Sequence, residues 1–239
     1  MWSYDIYKSG LHNMYVSNRY HDVAIEKMKM QYSDIFDTIR VPSRVLVAGS
    51  LGWIEHELFV NGAIHVSTYE PSPRIRETLY ANRTLCNYKL PPPLHNWNIY
   101  NYAINTARKP RARTLQKVLY VPKIRPCHAT LYENHVARVR GTYDTYMVEC
   151  HTVRHAIEAT EAKLAVFDFD NAPQSILSYF ESTSDEVLRK HSCTFVVPFA
   201  HNDFITNVLF SVLEKRNISY TKNPNNTLLT IGDSNVNPI

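Results

Sequence analysis

Two glycines and one glutamate stand where apolar stretches of the sequence end, and these residue types could together bind a nucleotide-like ligand. Gly49 and Gly52 follow the apolar run 45–48, and Glu70 follows the next extended stretch, 18 residues after Gly52. Glycines allow a tight turn and a close approach of the backbone to a ligand, and an acid at this spacing can accept hydrogen bonds from ribose hydroxyls. The alternative is an ordinary buried strand and turn, with Glu70 as a solvated loop residue.

Two aspartates, Asp168 and Asp170, close a later apolar stretch and are candidate site residues. Equally, Asp170 or Asn171 could cap the helix that follows, since Asp and Asn side chains accept hydrogen bonds from the first backbone amides of a helix. His201 follows the apolar stretch 193–199. It is a candidate acid, base or substrate contact, or a histidine that only hydrogen-bonds locally.

Apolar stretches and amphipathic stretches alternate along the chain, and they must position these residues. Strands are predicted where short β-branched apolar runs occur, at 44–48, 63–69, 98–104, 145–150, 163–170, 193–199, 218–220 and 227–231. Helices are predicted between them, at 20–40, up to 60, from 73, at 153–162, from 172, from 184 and at 203–215. This alternation predicts an α/β fold with a doubly wound, mostly parallel, Rossmann-like sheet.

The carboxyl ends of the predicted strands are the expected ligand site. In open α/β sheets a ligand sits beyond these ends, where the connections diverge to opposite faces. We therefore expect the turns after Ala48, Tyr69, Ile104 and Phe167 to form one crevice.

The length of 239 residues, of which 44% are hydrophobic, suits a single domain with one sizeable core. We expect a helical N-terminal extension over 1–41. The stretch 105–141 breaks the βα rhythm, because it is basic and contains three prolines. We interpret 105–141 as a basic insertion of hairpin or loop character, with extended pieces at 115–121 and 136–139, added to the sheet rather than part of it.

Four stretches resemble successive motifs of S-adenosylmethionine-dependent methyltransferases, in particular of the FkbM-like group. They are VLVAGSLGWIEHELF from residue 45, STYEPSPRIRETLYANRTL from 67, WNIYNYAI from 97 and LAVFDFDNAPQSIL from 164. The most specific match is the Glu-Pro-Ser-Pro element at 70–73, followed by Leu79 and Asn82. The resemblance covers about 42–104 and 145–231.

The resemblance implies a Rossmann-like methyltransferase fold, S-adenosylmethionine as cofactor and a set of site residues. The residues that it implies for the cofactor are Gly49, Ser50, Gly52, Glu70, Asn101 and Tyr102. The glycine turn would face the methionine moiety, Glu70 would hold the ribose hydroxyls, and 101–103 would lie near the adenine. Asp168 and Asp170 would be the catalytic carboxylates beside the methyl acceptor.

Several positions depart from the pattern of that group. Val47 stands where the first motif has an acid, and Asn171 and Pro173 stand where the fourth motif ends in glycine and glutamate. Pro198 stands where a ribose 2′-O-methyltransferase would have a lysine. These departures leave open a methyltransferase fold that has lost catalysis.

The window 78–132 contains no Asp or Glu and carries nine positive charges, although the whole chain has a net charge of only +4. Aromatic residues are interleaved with the cations, as in surfaces that bind single-stranded RNA. Candidate substrate contacts are Arg108, Lys109, Arg111 and Arg113, together with His201. The alternative for the window is a solvated basic face.

Three functions therefore stay open. The protein could transfer a methyl group to a hydroxyl of RNA, or to a hydroxyl of a sugar-like or other polar small molecule. It could also be a degenerate methyltransferase fold that binds RNA or a protein partner.

The N-terminal residues, the lengths of the apolar runs and the cysteine spacing bear on localisation and on metal binding. The first residues do not resemble a signal peptide and no run is long enough to cross a bilayer, so we expect a cytoplasmic protein without membrane contact. The four cysteines are widely spaced and no cysteine or histidine has partners at metal-ligand spacing, so we expect no metal site.

Overall fold

We describe residues 5–9, 12–16, 19–89, 96–105, 114–123, 129–132, 142–169, 171–199, 203–225 and 227–232 of a computed structural model. The strands are β1 (Asp5–Ser9), β2 (His12–Val16), β3 (Arg44–Ala48), β4 (His65–Tyr69), β5 (Asn96–Tyr100), β6 (Tyr102–Ile104), β7 (Thr114–Pro122), β8 (Tyr143–His151), β9 (Leu164–Phe167), β10 (Thr194–Pro198), β11 (Tyr220–Lys222) and β12 (Leu228–Ile231). The helices are α1 (Arg19–Phe36), α2 (Trp53–Val60), α3 (Pro73–Lys89), α4 (Val153–Thr160), α5 (Ala172–Ser182), α6 (Asp185–His191) and α7 (Phe204–Lys215).

A seven-stranded sheet in the order β11-β12-β10-β9-β3-β4-β5 forms the centre of the molecule. The five strands from β10 to β5 are parallel, and β12 is antiparallel to both of its neighbours. Every residue of β9 and β12 is buried, as expected for strands that are covered on both faces. The prediction of a doubly wound, mostly parallel α/β sheet is confirmed.

Helices pack on both faces of this sheet and give it two hydrophobic cores. Along β3 the side chains alternate, so that Val45 and Val47 face one core while Leu46 and Ala48 face the other. The first core is completed by α1, α2 and α3, and the second by α4, α5 and α7. The helices that follow β3 and β9 therefore lie on opposite faces, which makes the boundary between these two strands the topological switch point of the sheet.

A second sheet, in the order β6-β8-β7, contains the stretch 115–121 within β7. β7 and β8 are antiparallel over their whole length, from the Thr114–His151 pair to the Pro122–Tyr143 pair. One face of this sheet has its own small core, which includes Leu119, Val121 and Val148. The stretch 115–121 thus belongs to this smaller sheet and not to the seven-stranded one.

Two parts of the described chain differ from the sequence expectations. The stretch 98–104, predicted as one strand, is divided at Asn101 into β5 and β6, because β5 pairs with β4 while β6 pairs with β8. Ile104 therefore lies in the smaller sheet, and the main-sheet strand ends at Tyr100 instead. The N-terminal segment, expected only as a helical extension, also contains the antiparallel β1–β2 hairpin.

An ion pair and a hydrogen bond connect the smaller sheet to α3. Arg74 of α3 pairs with Asp144 of β8 and also donates a hydrogen bond to the backbone oxygen of Lys123, at 3.2 Å. The extended piece predicted at 136–139 lies outside the described residues. None of the helices in the described ranges is long and apolar enough to span a membrane.

Candidate active site

Four neighbouring parallel strands end in register and bring four predicted site residues into one row. The last paired residues are Tyr100, Tyr69, Ala48 and Phe167, on β5, β4, β3 and β9. The residues that follow them are Asn101, Glu70, Gly49 and Asp168. Since neighbouring strands are about 4.8 Å apart, this row spans three strand spacings across the switch point. The turns that follow these strands therefore lie along one carboxyl edge of the sheet, with Tyr100 in place of Ile104 at one end of the row.

Gly49 has no side chain because the turn after β9 occupies the space that a side chain would need. Its φ is +86°, and a Cβ placed there would lie 2.4 Å from the backbone oxygen of Asp168. The Asp168 amide donates a hydrogen bond to the Ala48 oxygen at 2.8 Å, which holds the two strand ends together. The glycine thus brings the Asp168 backbone directly against the turn.

Gly52 precedes α2 and is fixed from the side of α3. Its φ is +100°, and a Cβ would lie 2.8 Å from the Nδ2 atom of Asn82. That Nδ2 atom donates to the Leu51 backbone oxygen at 3.3 Å. Both glycines are therefore required by contacts within the protein, and the turn 49–52 is clamped between the β9 end and α3.

Ser50 directs its hydroxyl into the protein, where it donates a hydrogen bond to Glu55 of α2. Thr68 of β4 donates to the same carboxyl oxygen of Glu55 at 2.7 Å, and Trp97 of β5 donates its indole N–H to Thr68 at 2.9 Å. Ser50, Glu55 and Thr68 are completely buried. A polar network thus connects the glycine turn to β4 and β5 beneath the site.

Glu70 is a buried carboxyl group at the end of β4, only 6% exposed. Its Oε1 atom accepts a hydrogen bond from the Ser72 amide at 2.7 Å. The pKa of Glu70 is raised to about 8, chiefly by burial and also by the nearby Glu55, while the Ser72 amide and Arg76 oppose the shift. A carboxyl group whose pKa is shifted this far at a strand end marks a candidate ligand site.

Arg76 of α3 organises the backbone around Glu70 without neutralising its carboxyl group through a hydrogen bond. Its Nη1 atom donates to the backbone oxygens of Glu70 (3.0 Å) and Pro71 (2.8 Å), and to the Oδ1 atom of Asn101 (2.6 Å). The Asn101 side chain is therefore oriented by Arg76, although the residue itself is exposed.

Asp168 is partly buried, and the hydroxyl of Tyr32 donates a hydrogen bond to its Oδ1 atom at 3.0 Å. Tyr32 lies on α1 and is completely buried. Burial raises the pKa of Tyr32, and the charge of Asp168 and its hydrogen bond raise it further, so the tyrosine remains a donor. The N-terminal helix thus supplies a side chain to the site. At the start of α5, Asn171 is the N-cap residue but its side chain makes no capping hydrogen bond.

Tyr102 belongs to an aromatic cluster between the two sheets. Its ring stacks on His151 with centroids 4.0 Å apart, and Tyr69 contacts both rings edge-on. The Nδ1 atom of His151 lies 3.4 Å from the Tyr69 hydroxyl and its Nε2 atom lies 3.2 Å from Glu149. Burial lowers the pKa of His151, while Glu149 opposes that shift. This cluster forms the wall of the site beside Glu70.

Several residues predicted from the sequence lie outside the described part of the chain: Asp170, His201, Arg108, Lys109, Arg111 and Arg113. Conversely, the sequence analysis did not identify Tyr32, Glu55, Arg76 or His151. Glu55 gave only a weak signal, because it lies next to Ile54 but is followed by two further polar residues of the same helix, His56 and Glu57. The other three gave no local signal, since their roles depend on contacts between distant segments.

No protein-family model matches the chain, and no curated protein matches it in sequence. Solved structures to which it is similar include the methyltransferase FkbM from Methylobacillus flagellatus KT, with a TM-score of 0.45 and 12% identity over 79% of this chain and 43% of the other. For Trm5 from Methanocaldococcus jannaschii, in complex with adenosine, the TM-score is 0.46 and the identity is 10%, over 97% of this chain and 54% of the other. For the ribosomal protein L11 methylase from Lactobacillus delbrueckii subsp. bulgaricus, the TM-score is 0.40 and the identity is 9%, over 85% of this chain and 76% of the other. The chain thus spans less than half of the FkbM structure and about half of Trm5.

Proposed function

We propose that the protein is an S-adenosylmethionine-dependent methyltransferase whose cofactor binds between the turn 49–52 and Glu70. The observation that carries this proposal is the buried Glu70 carboxyl group, one strand spacing from the glycine turn at the switch point of a doubly wound sheet. A carboxylate in this position accepts hydrogen bonds from the two hydroxyls of a ribose. The sequence resemblance supports the same assignment.

The residues around the turn fit the other parts of the cofactor. The backbone of 49–52 faces the methionine moiety, since the Ser50 hydroxyl is already used by Glu55. Asn101 follows β5, the next strand beyond β4, and Tyr102 begins β6, so we assign both residues to the adenine side of Glu70. Arg76 holds the Asn101 side chain in place for this contact.

Bound S-adenosylmethionine would supply an electrophilic methyl group on a sulfonium sulfur. Asp168, on the other side of the glycine turn, would accept the proton that the acceptor hydroxyl loses as its oxygen takes the methyl group and the carbon–sulfur bond breaks, which leaves S-adenosylhomocysteine. Tyr32 orients this carboxylate through its hydrogen bond to Oδ1. Asp170, two residues further along, is the second carboxylate that we assign to the acceptor.

We propose that the acceptor is a hydroxyl of RNA or of a sugar-like polar molecule. RNA is supported by the acid-free window 78–132, which includes Arg108, Lys109, Arg111 and Arg113. In its described part, the guanidinium of Arg83 lies over the exposed Tyr80 ring, 5.1 Å from its centroid. Stacked cations and exposed rings of this kind suit single-stranded nucleic acid. His201 is a further proposed substrate contact.

A second candidate function is binding of RNA or a protein partner by a fold that has lost catalysis. It is favoured by Val47, an apolar residue where the resemblance implies an acid, which removes one polar anchor for the cofactor. If the protein has lost catalysis, Gly49 and Gly52 serve only the packing contacts described above.

Transfer of an isotopically labelled methyl group distinguishes these functions. The wild-type protein is incubated with labelled S-adenosylmethionine and either total RNA or a panel of sugars, and the label is followed into the acceptor. Asp168→Asn is the test variant, and Asp185→Asn, an exposed carboxylate on α6, is the matched control. We expect label in one acceptor class, lost in Asp168→Asn alone. Cofactor binding without label in either class would instead favour the binding protein.

A further inference from the structure

Glu55 is a fully buried carboxyl group that is not among the predicted site residues. Its side chain reaches the underside of the glycine turn, since it accepts hydrogen bonds from Ser50 of that turn and from Thr68 of β4. Both donors contact the same oxygen atom, Oε1. Glu55 therefore joins three segments: the turn, the helix α2 that follows it and the neighbouring strand.

The second carboxyl oxygen of Glu55 has no hydrogen-bond partner among the described residues. Nor does any ion pair between described residues involve this side chain, and the nearest named charge is the acid Glu70. An ionised carboxylate offers acceptor sites on both oxygens, whereas a neutral acid has one carbonyl oxygen that accepts two hydrogen bonds. With no partner at Oε2, an ionised Glu55 would be a buried charge that is only half satisfied, whereas a neutral Glu55 would leave one O–H group without an acceptor, which costs less.

We propose that Glu55 is a positioning residue which, as a neutral carboxylic acid, fixes the turn 49–52 in the shape that binds the cofactor. The expected effect on cofactor binding rests on the proposed function, whereas the contacts between Glu55 and the turn do not. Burial raises the pKa of Glu55, although the hydrogen bonds from Ser50 and Thr68 and the nearby amides of Gly52 and Glu55 oppose the shift. Once Glu70 is ionised by a bound ligand, a second ionised carboxylate beside it would be costly, because like charges disfavour each other's ionised form.

A neutral Glu55 leaves Glu70 as the group that becomes charged when a ligand binds. Among the described residues, the charged groups that act on Glu70 are Glu55 and Arg76. Trp97 extends the network to β5 by donating to Thr68, so that β5, β4 and the glycine turn are connected through one acid. Loss of the acceptor at Glu55 would release Ser50 and loosen the turn.

The experiment compares Glu55→Gln, which keeps an acceptor oxygen without a charge, with Glu55→Met, which removes the acceptor. Glu77→Gln, at an exposed position on α3, is the matched control. Infrared difference spectra at neutral pH, wild type minus Glu55→Gln, should show the C=O stretching band of a protonated acid. Hydrogen exchange of the 50–52 amides and affinity for S-adenosylhomocysteine are measured on the same proteins.

We expect the infrared band in the wild type, and exchange and affinity in Glu55→Gln within about twofold of wild type. In Glu55→Met the affinity should fall about tenfold or more and the 50–52 amides should exchange faster. Stability supplies a further readout. Because the folded pKa of Glu55 lies above its unfolded value, the contribution of Glu55 to stability is greatest below the unfolded pKa and is lost as pH rises. Glu55→Gln should lack that loss, so its stability relative to wild type should increase with pH.

Absence of the infrared band, or an equal loss of affinity in Glu55→Gln and Glu55→Met, would overturn the inference. If no protein, including the wild type, binds S-adenosylhomocysteine, the proposed function fails. The infrared and exchange results then still decide whether Glu55 is neutral and holds the turn.

Discussion

The hydroxyl of Tyr32 donates a hydrogen bond to Asp168, across 136 positions of sequence. It joins the N-terminal helix to the end of β9, on the acceptor side of the proposed cofactor site. The contact gives α1 a direct role in positioning the carboxylate that we assign to catalysis.

Replacing Tyr32 with Phe should destabilise the protein by about 1–2 kcal/mol, because it removes a buried hydrogen bond to a charged group. The measurement is urea unfolding at neutral pH. Tyr80→Phe, at a position that is 41% exposed, is the control and should leave the unfolding free energy unchanged. Equal unfolding free energies for Tyr32→Phe and the wild type would show that the contact contributes nothing.

Replacing Gly49 with Ala should destabilise the fold more than replacing Gly62. Both residues have positive φ, so either change should cost about 1–2 kcal/mol in backbone strain. Only at Gly49 would the new Cβ also collide with the Asp168 backbone, since nothing lies within 4 Å of a Cβ at Gly62. That collision should add about 1–3 kcal/mol.

The unfolding free energies of the two alanine variants are measured by chemical denaturation under the same conditions. Because of the collision with the Asp168 backbone, we expect a clearly lower unfolding free energy for Gly49→Ala than for Gly62→Ala. Equal values would mean that the β9 end moves away without cost.

Much of the sheet could be predicted because its strands are short, β-branched and bounded by prolines or glycines. The strand 44–48 and the helix start at Pro73 were predicted at their observed positions. The division at Asn101 was not predictable, because 98–104 is a continuous extended stretch and only its pairing with two different sheets divides it.

The candidate site was predictable where its residues follow strands, and hidden where they come from elsewhere. Gly49, Glu70 and Asp168 lie side by side because parallel strands end in register. Tyr32 and Arg76 reach the same place from helices, and the sequence of a helix does not specify which distant strand end its side chains contact.

Affinity for S-adenosylhomocysteine should rise with pH and level off above the Glu70 pKa of about 8. The ligand-free acid is protonated below this pH, whereas ribose hydroxyls favour the ionised form, so binding releases a proton. The affinity should therefore increase about tenfold per pH unit below the pKa. Calorimetry in two buffers with different ionisation heats measures the released proton. Glu70→Gln should bind weakly with no pH dependence, and a flat profile in the wild type would contradict the assignment.

Binding of single-stranded RNA should depend steeply on salt if Arg108, Lys109, Arg111 and Arg113 contact phosphates. Four contacts imply a slope of log affinity against log salt near about −3, since each contributes about −0.7. Changing all four to Ala should remove about this slope without changing affinity for S-adenosylhomocysteine. Arg189→Ala with Lys190→Ala, on exposed positions of α6, is the control. A wild type that binds no RNA at low salt would contradict the RNA assignment.

The most direct test of the account is calorimetric titration of the folded protein with S-adenosylmethionine and S-adenosylhomocysteine, on the alkaline side of the Glu70 pKa. The account predicts one binding site for each ligand, strongly weakened in Glu70→Gln and unchanged in Glu77→Gln. Absence of binding of either ligand to the folded wild type at millimolar concentration would contradict it, as would equal affinities for Glu70→Gln and the wild type.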